Sequence, residues 1–383
     1  MRFPAAFIAA ALGAVALWAQ SVSFEGAPAL ALGNEKLQLL ILPQGSTIAS
    51  IVLNDDATKM NPLWNPLRMA RESGERNVAF QPGFGHFLCL DGFGPMSPEE
   101  AAAGMPFHGE AHLAQWSTRY AGKHGSTAVL TLEATLPLVQ EKVQRTYRLG
   151  DGEQVVYVET QVQSLLGFDR PVIWAEHATA GSPFLEPGVT VFELSATQSR
   201  TRPYVNKPGD LPDRFVSDKP FQWPWAPGLN GKRVDMRLTP ARPNSGGHTT
   251  SLMDRHRKLA FVTMFNPRMG LLLGYLFKPE EFPFVQSWEN FPPTGKLARG
   301  LEFSTQPYDI PRRDAIQMNT MFDTPTYRWL PAKGTVTSRF LVFYTKVPAG
   351  FRKVDDVRLE GMSVVVEDKG AKRRITLAAT LPL

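Results

Sequence analysis

Alternation with a period of two runs through most of this chain. In TAVLTLEATL, Ala128, Leu130, Leu132, Ala134 and Leu136 share one face, while polar residues take much of the other. The run QEKVQRTYRL follows Pro137 and sets Val143, Arg145 and Tyr147 opposite Lys142, Gln144 and Thr146. After a turn at Gly150–Gly152, EQVVYVETQVQ is a third strand-like run. Three such runs in succession predict an antiparallel meander. More strand-like runs stand at 36–42, 259–265, 270–277, 300–307, 338–347, 362–368 and 373–381. The clearest helix is short: in SPEEAAAG, Ser97 can cap, Pro98 takes the first position, Glu100 closes a capping box and Gly104 stops it. The stretch 200–243 is rich in Pro, Gly and charge and reads as a long decorated loop, because strand-like runs resume on both sides. A chain patterned this way must bury one face of each sheet against another sheet. The expected fold is all-β, a large antiparallel β-sandwich, formed as a single domain over 21–383.

Composition agrees with this. The 31 glycines and 32 prolines supply turns, and 43% apolar residues suffice for a large core. The net charge of +5 is mild for 383 residues. The densest basic spots, MDRHRK (Met253 to Lys258) and AKRR (Ala371 to Arg374), fall between strand-like runs, so no nucleic-acid partner is expected.

The first twenty residues, MRFPAAFIAAALGAVALWAQ, place Arg2 before an alanine-rich apolar run and end it with small residues near Ala19. That pattern reads as a signal peptide over residues 1–20, cleaved after Ala19. The run is short for a membrane span. A periplasmic or secreted protein, with no membrane association after cleavage, is expected. Cys89 is the one cysteine, which excludes an internal disulfide and a cysteine-based zinc site.

Three stretches could carry chemistry. In GMPFHGEAHLAQW, His108 and His112 have the i, i+4 spacing of a helical metal pair, but Gly109 stands where the zinc-protease pattern needs glutamate. No metal is expected there; a loop with hydrogen-bonded histidines or a sugar-binding loop remain. In PVIWAEHATAGSPFLEPG, Trp174, Glu176 and His177 end an apolar run ahead of a glycine- and proline-rich turn. In FPFVQSWENFPPTG, Trp288 and Glu289 do the same. A carboxylate beside an aromatic can be tuned by burial toward general-base work. Either stretch can equally be a structural strand end.

Taken together and in this order, the HG followed by a tryptophan, the EH at a strand end and the late glutamate of WENFP resemble the galactose mutarotase (aldose epimerase) superfamily. EHATAGSPFLEPG and GHFLCLDGFGP look closest to its uncharacterised branches. The resemblance implies a β-supersandwich with a sugar site on its concave face and no cofactor. It implies interconversion of sugar anomers by acid/base ring opening, with Glu289 as base, His177 as acid and His108 as a ligand of sugar hydroxyls. Trp174, Glu176, Trp288 and His86 are further expected sugar contacts. The partner implied is a monosaccharide or derivative.

The chain also departs from the pattern. Where that family carries an arginine and an asparagine before the HG histidine, this chain offers Arg71, Arg76, Asn77 and His86 without clean alignment. Ala178, Thr179 and Ala180 stand where an aromatic and an asparagine are usual. The pocket is therefore expected to differ. A non-catalytic carbohydrate-binding module is one alternative. A lyase- or hydrolase-related domain is another, with Glu176, Glu110 and Tyr204 as extra acid/base candidates. A structural role with the concave face covered by a partner is a third. Trp223 and Trp225 of FQWPWAPG suit either sugar stacking or packing, and Trp64 of NPLWNP reads as a packed turn residue.

Overall fold

A computed structural model describes residues 20–76 and 78–383. The apolar run expected to direct export lies outside the described residues, apart from Gln20. Two antiparallel sheets dominate, one of twelve strands and one of eight.

The eight-stranded sheet holds the expected meander. Strands Ser117–His124, Thr127–Leu136, Glu141–Gly150 and Val155–Ser164 pair in succession, and Thr335–Lys346, Leu271–Phe277, Ala260–Asn266 and Val191–Leu194 extend the sheet. The period of two is what places its core. Leu130, Leu132, Val143, Tyr147, Val158 and Val342 all point at the larger sheet and are buried. Each fully buried side chain of this kind contributes about 1.5–3 kcal/mol.

The twelve-stranded sheet supplies the other half of the core through Leu39, Ile51, Leu88, Trp174, Val285 and Phe303. Its centre runs in the order His86–Leu90, Trp174–Gly181, the broken strand Ala298–Gly300 plus Glu302–Ser304, Phe284–Phe291 and Ser245–Met253. Trp174–Gly181 is buried at every position. One face meets the other sheet and the opposite face lies under loops, so even its polar residues, Glu176, His177 and Thr179, are buried.

The C-terminal runs fold into a separate three-stranded antiparallel sheet, Asp356–Glu360, Ser363–Asp368 and Arg373–Ala378. Val357, Val364, Val366, Ile375 and Leu377 cover the outer side of the eight-stranded sheet at Val155, Tyr157, Phe261 and Leu341.

The helices are short. Pro98–Ala102 has the expected capping box: Ser97 Oγ accepts from Glu100 N at 3.2 Å, and Glu100 Oε2 accepts from Ser97 N at 3.1 Å. Pro66–Glu72, capped by Asn65, and Arg312–Met318 were not expected. The stretch 200–243 is largely irregular, with three short strands at Pro220–Phe221, Trp225–Pro227 and Arg233–Asp235.

Candidate functional site

A cavity of about 550 Å³ lies on the face of the larger sheet turned away from the smaller one. Its floor is five neighbouring strands, each giving one side chain in turn: Phe87, His177, Glu302, Trp288 and His248. The register explains the row. His177 lies opposite Phe87, and His248 opposite Trp288. Glu302 lies opposite Gln286, which shares the Trp288 face of its strand. Loops close the walls with Trp64, Phe93, Phe107, His108, His112 and Asp309.

His177 stacks on Phe87 at 4.3 Å between ring centroids and 19° between planes. Its Nδ1 is 3.1 Å from Thr179 Oγ1, and its Nε2 is 3.5 Å from Glu302 Oε1. Burial drives its pKa down to about 3, so the imidazole is neutral near pH 7. Burial acts the other way on Glu302, holding it well above the usual carboxylate range. Glu302 Oε1 is enclosed without a hydrogen-bond partner. The pair thus sets a carboxyl biased toward its protonated form beside a neutral imidazole, an arrangement suited to passing one proton. Gly300 makes the room for it. A Cβ there would stand 2.2 Å from Glu302 Oε1, so the carboxyl lies over the one residue of that strand without a side chain.

His248 and Asp309 form a second pair, with Nδ1 and Oδ1 2.9 Å apart. Desolvation brings Asp309 up to about 7 against the pull of Arg202, and brings His248 down to about 3. The Asp309 side chain keeps 29% exposure and so remains in touch with solvent at the cavity mouth.

His108 is set by its glycine. His108 and Gly109 both have positive φ, 67° and 78°. A Cβ at position 109 would stand 2.1 Å from Leu90 O, so only glycine lets this loop press against the strand end. His108 Nδ1 accepts from Gly94 N at 3.0 Å, which puts the ring proton on Nε2. The ring lies 5.0 Å from that of His177, nearly perpendicular to it. His112 is 6.0 Å from His108 on the same turn, its pKa driven down to about 4 by burial. Among the described residues, no group of three or more His, Cys, Asp or Glu has the geometry to hold a metal ion.

Four expected site residues stand elsewhere, for a single reason. Neighbours on a strand point to opposite faces. His177 faces the cavity, so Trp174 and Glu176 face the space between the sheets. There Glu176 accepts from Arg145 Nη2 at 2.8 Å and Trp174 Nε1 at 3.3 Å, and lies 2.9 Å from His86 Nε2. His86 is thus a partner of that buried carboxylate and not a sugar contact. Trp288 faces the cavity, so Glu289 faces inward as well. It meets Arg214 Nη1 at 2.6 Å and Arg299 Nη2 at 3.2 Å. Glu289 and His177 are therefore not brought together; His177, His108 and Trp288 are.

The remaining candidates also fall outside the lining. Glu110 Oε2 accepts from Val139 N at 3.0 Å. Tyr204 OH lies behind the cavity, 3.5 Å from the Asp309 carbonyl. Trp223 packs on Phe192 and donates to Glu193 Oε2 at 3.2 Å, and Trp225 is exposed. Trp64, read as a packed turn residue, lines the cavity edge-on to Trp288 at 5.9 Å. Glu302, His248 and Asp309 were not anticipated. The alternation of LEFST, with Leu301 and Phe303 apolar, was the available signal for Glu302.

The two facing antiparallel sheets make a large β-sandwich, a fold the chain shares with solved galactose mutarotase-like structures. The chain matches the solved structure of a candidate aldose 1-epimerase from Klebsiella pneumoniae with a TM-score of 0.59 and 13% identity, over 84% of this chain and 80% of that one. A galactose mutarotase-like protein from Lactobacillus casei matches at TM-score 0.54 and 15% identity, covering 83% and 100% of the two chains. A galactose mutarotase related enzyme from Lactobacillus acidophilus matches at 0.55 and 12%, covering 86% and 100%. At these identities the likeness is one of fold. No protein-family model matches the sequence, and no curated protein does.

Proposed function

We propose that the cavity binds a monosaccharide or a derivative of one and catalyses exchange of its anomers by acid/base ring opening. The observation that carries this reading is the His177–Glu302 pair on the floor of an aromatic-walled cavity. At about 550 Å³ it falls in the usual range of about 300–1,000 Å³ for small-molecule sites. Trp64, Phe93 and Trp288 offer flat apolar faces to the C–H faces of a sugar ring. Glu302, protonated by its burial and 3.5 Å from His177, is suited to give a proton to a sugar oxygen and take it back. His108, with its proton on Nε2, is suited to donate to a hydroxyl.

Anomer exchange followed by polarimetry or NMR on a panel of hexoses, pentoses and uronic acids tests the proposal. The wild type should accelerate at least one sugar, and Glu302→Gln should slow it by roughly 10²–10⁴-fold with binding retained. Sugar binding without acceleration by the wild type would instead establish a carbohydrate-binding module. Export is proposed too, on Arg2 and the apolar run that follows it. N-terminal sequencing of periplasmic or secreted protein should begin near Gln20; an intact Met1 on soluble cytoplasmic protein would refute it.

A further inference from the structure

We propose that Asp309, braced by His248, is the group that removes the proton from the anomeric hydroxyl, while Glu302 serves the ring oxygen. This rests on the anomer-exchange reading above. Ring opening needs two proton-transfer groups acting on two oxygens of one sugar. His177 and Glu302 are too close together, at 3.5 Å, to hold a sugar between them, so they count as one group. The second must come from elsewhere in the cavity.

The sheet puts it in place. The strands that carry Glu302 and His248 both pair with Phe284–Phe291, on opposite edges of it. Two strand spacings are about 9.5 Å. That spacing leaves room for a single pyranose ring over Trp288. Asp309 comes in from the loop after Glu302–Ser304 and meets His248 at 2.9 Å, lining the same cavity as Glu302. Beyond that contact, His248 Nε2 is enclosed without a hydrogen-bond partner, as a polar atom waiting for a ligand would be.

The two carboxyls differ in the way such a division of labour requires. Glu302 is fully buried, and no charged side chain offsets its desolvation, so it keeps its proton and can donate it. Asp309 is partly open to water and near Arg202, so it can lose its proton around neutral pH. Environments that separate two carboxyls in this sense assign acid and base. The groups facing Asp309 are His248 and Arg202, with the Tyr204 hydroxyl on its carbonyl and His108 and Glu302 across the cavity.

The step balances without a redox partner. The Asp309 carboxylate takes the proton of the anomeric O–H, and that bond's electron pair becomes the C1=O bond. The C1–ring oxygen bond breaks with its pair going to oxygen, which takes the Glu302 proton. Rotation about C1–C2 and the reverse transfers close the ring on the other face and restore both groups.

The test is the pH dependence of kcat/KM for anomer exchange, on the sugar that the wild type turns over fastest. The wild-type profile should rise with a midpoint near pH 7, the value to which Asp309 is raised. Asp309→Asn should lose roughly 10²–10⁴-fold and the rising limb together, with sugar binding retained and the protein no less stable than wild type. Glu302→Gln should lose rate at every pH while the limb stays. An Asp309→Asn enzyme with wild-type rate and limb overturns the assignment of Asp309 and leaves anomer exchange standing. A wild type that accelerates no sugar overturns both.

Discussion

A methyl group added at position 300 would have one immediate neighbour. The three nearest heavy atoms all belong to the Glu302 side chain, at 2.2 to 3.0 Å. The Gly300 backbone lies outside the positive-φ region, so alanine is tolerated by the chain itself. Gly300→Ala should therefore swing the carboxyl off its place and leave the sheet intact. A displacement of about 1 Å in a reacting group costs on the order of 10²-fold in rate. We expect a loss of that order in anomer exchange with little change in Tm. A variant that keeps full rate would show that the Glu302 position does not matter. His177 and Glu302 also illustrate how burial alone prepares chemistry: one environment discharges both, lowering the imidazole and raising the carboxyl.

At the scale of the element, the strand decides which of two adjacent residues does what. In Trp288–Glu289 the aromatic faces the cavity, and the carboxylate pairs with Arg214 and Arg299 on the other side. Removing it leaves two arginines near the core without their partner. Glu289→Ala should cost about 3–5 kcal/mol, the usual result of breaking a buried pair. Urea denaturation measures this, and a loss below 1 kcal/mol would argue against a structural role. Glu302→Gln should show the opposite behaviour, keeping stability and losing rate. The WAEH and WENF stretches were legible as strand ends bearing polar groups. Which face of each strand would be covered was not, because alternation gives the relative sides of neighbours and not the identity of either side.

For the whole molecule, the titrations of the cavity residues oppose one another. His177 and His248 sit near 3 in the fold against an ordinary 6.5, so the stability they contribute is present above 6.5 and is lost as pH falls toward 3. Asp309 sits near 7 against 3.8, so its contribution is present below 3.8 and is lost as pH rises to 7. Asp309→Asn removes only the second effect. Relative to wild type, the variant should gain stability between pH 4 and 7 and level off above. Denaturant titrations at a series of pH values would read this, and a constant difference across that window would contradict the burial of Asp309.

The sequence by itself determined the class of fold and most of the strands. Period-two runs, glycine and proline turns and the Ser97 capping box are local signals, and local physics is enough to read them. It also put His108, His177 and Trp288 forward as site residues. The tertiary structure alone decided that Glu302 and Asp309, not Glu289, share the cavity with His177. Glu302 reaches His177 because two strands more than a hundred residues apart in the chain pair in one register, and Gly300 leaves the carboxyl room. Asp309 reaches His248 because a loop folds back over a third strand. His86 and Glu176, by the same pairing, were turned inward to each other and to Arg145. Sequence spacing carries no information on such register. It comes from burying both sheets against each other at once, which selects one face of every strand for the core and leaves the other for the site.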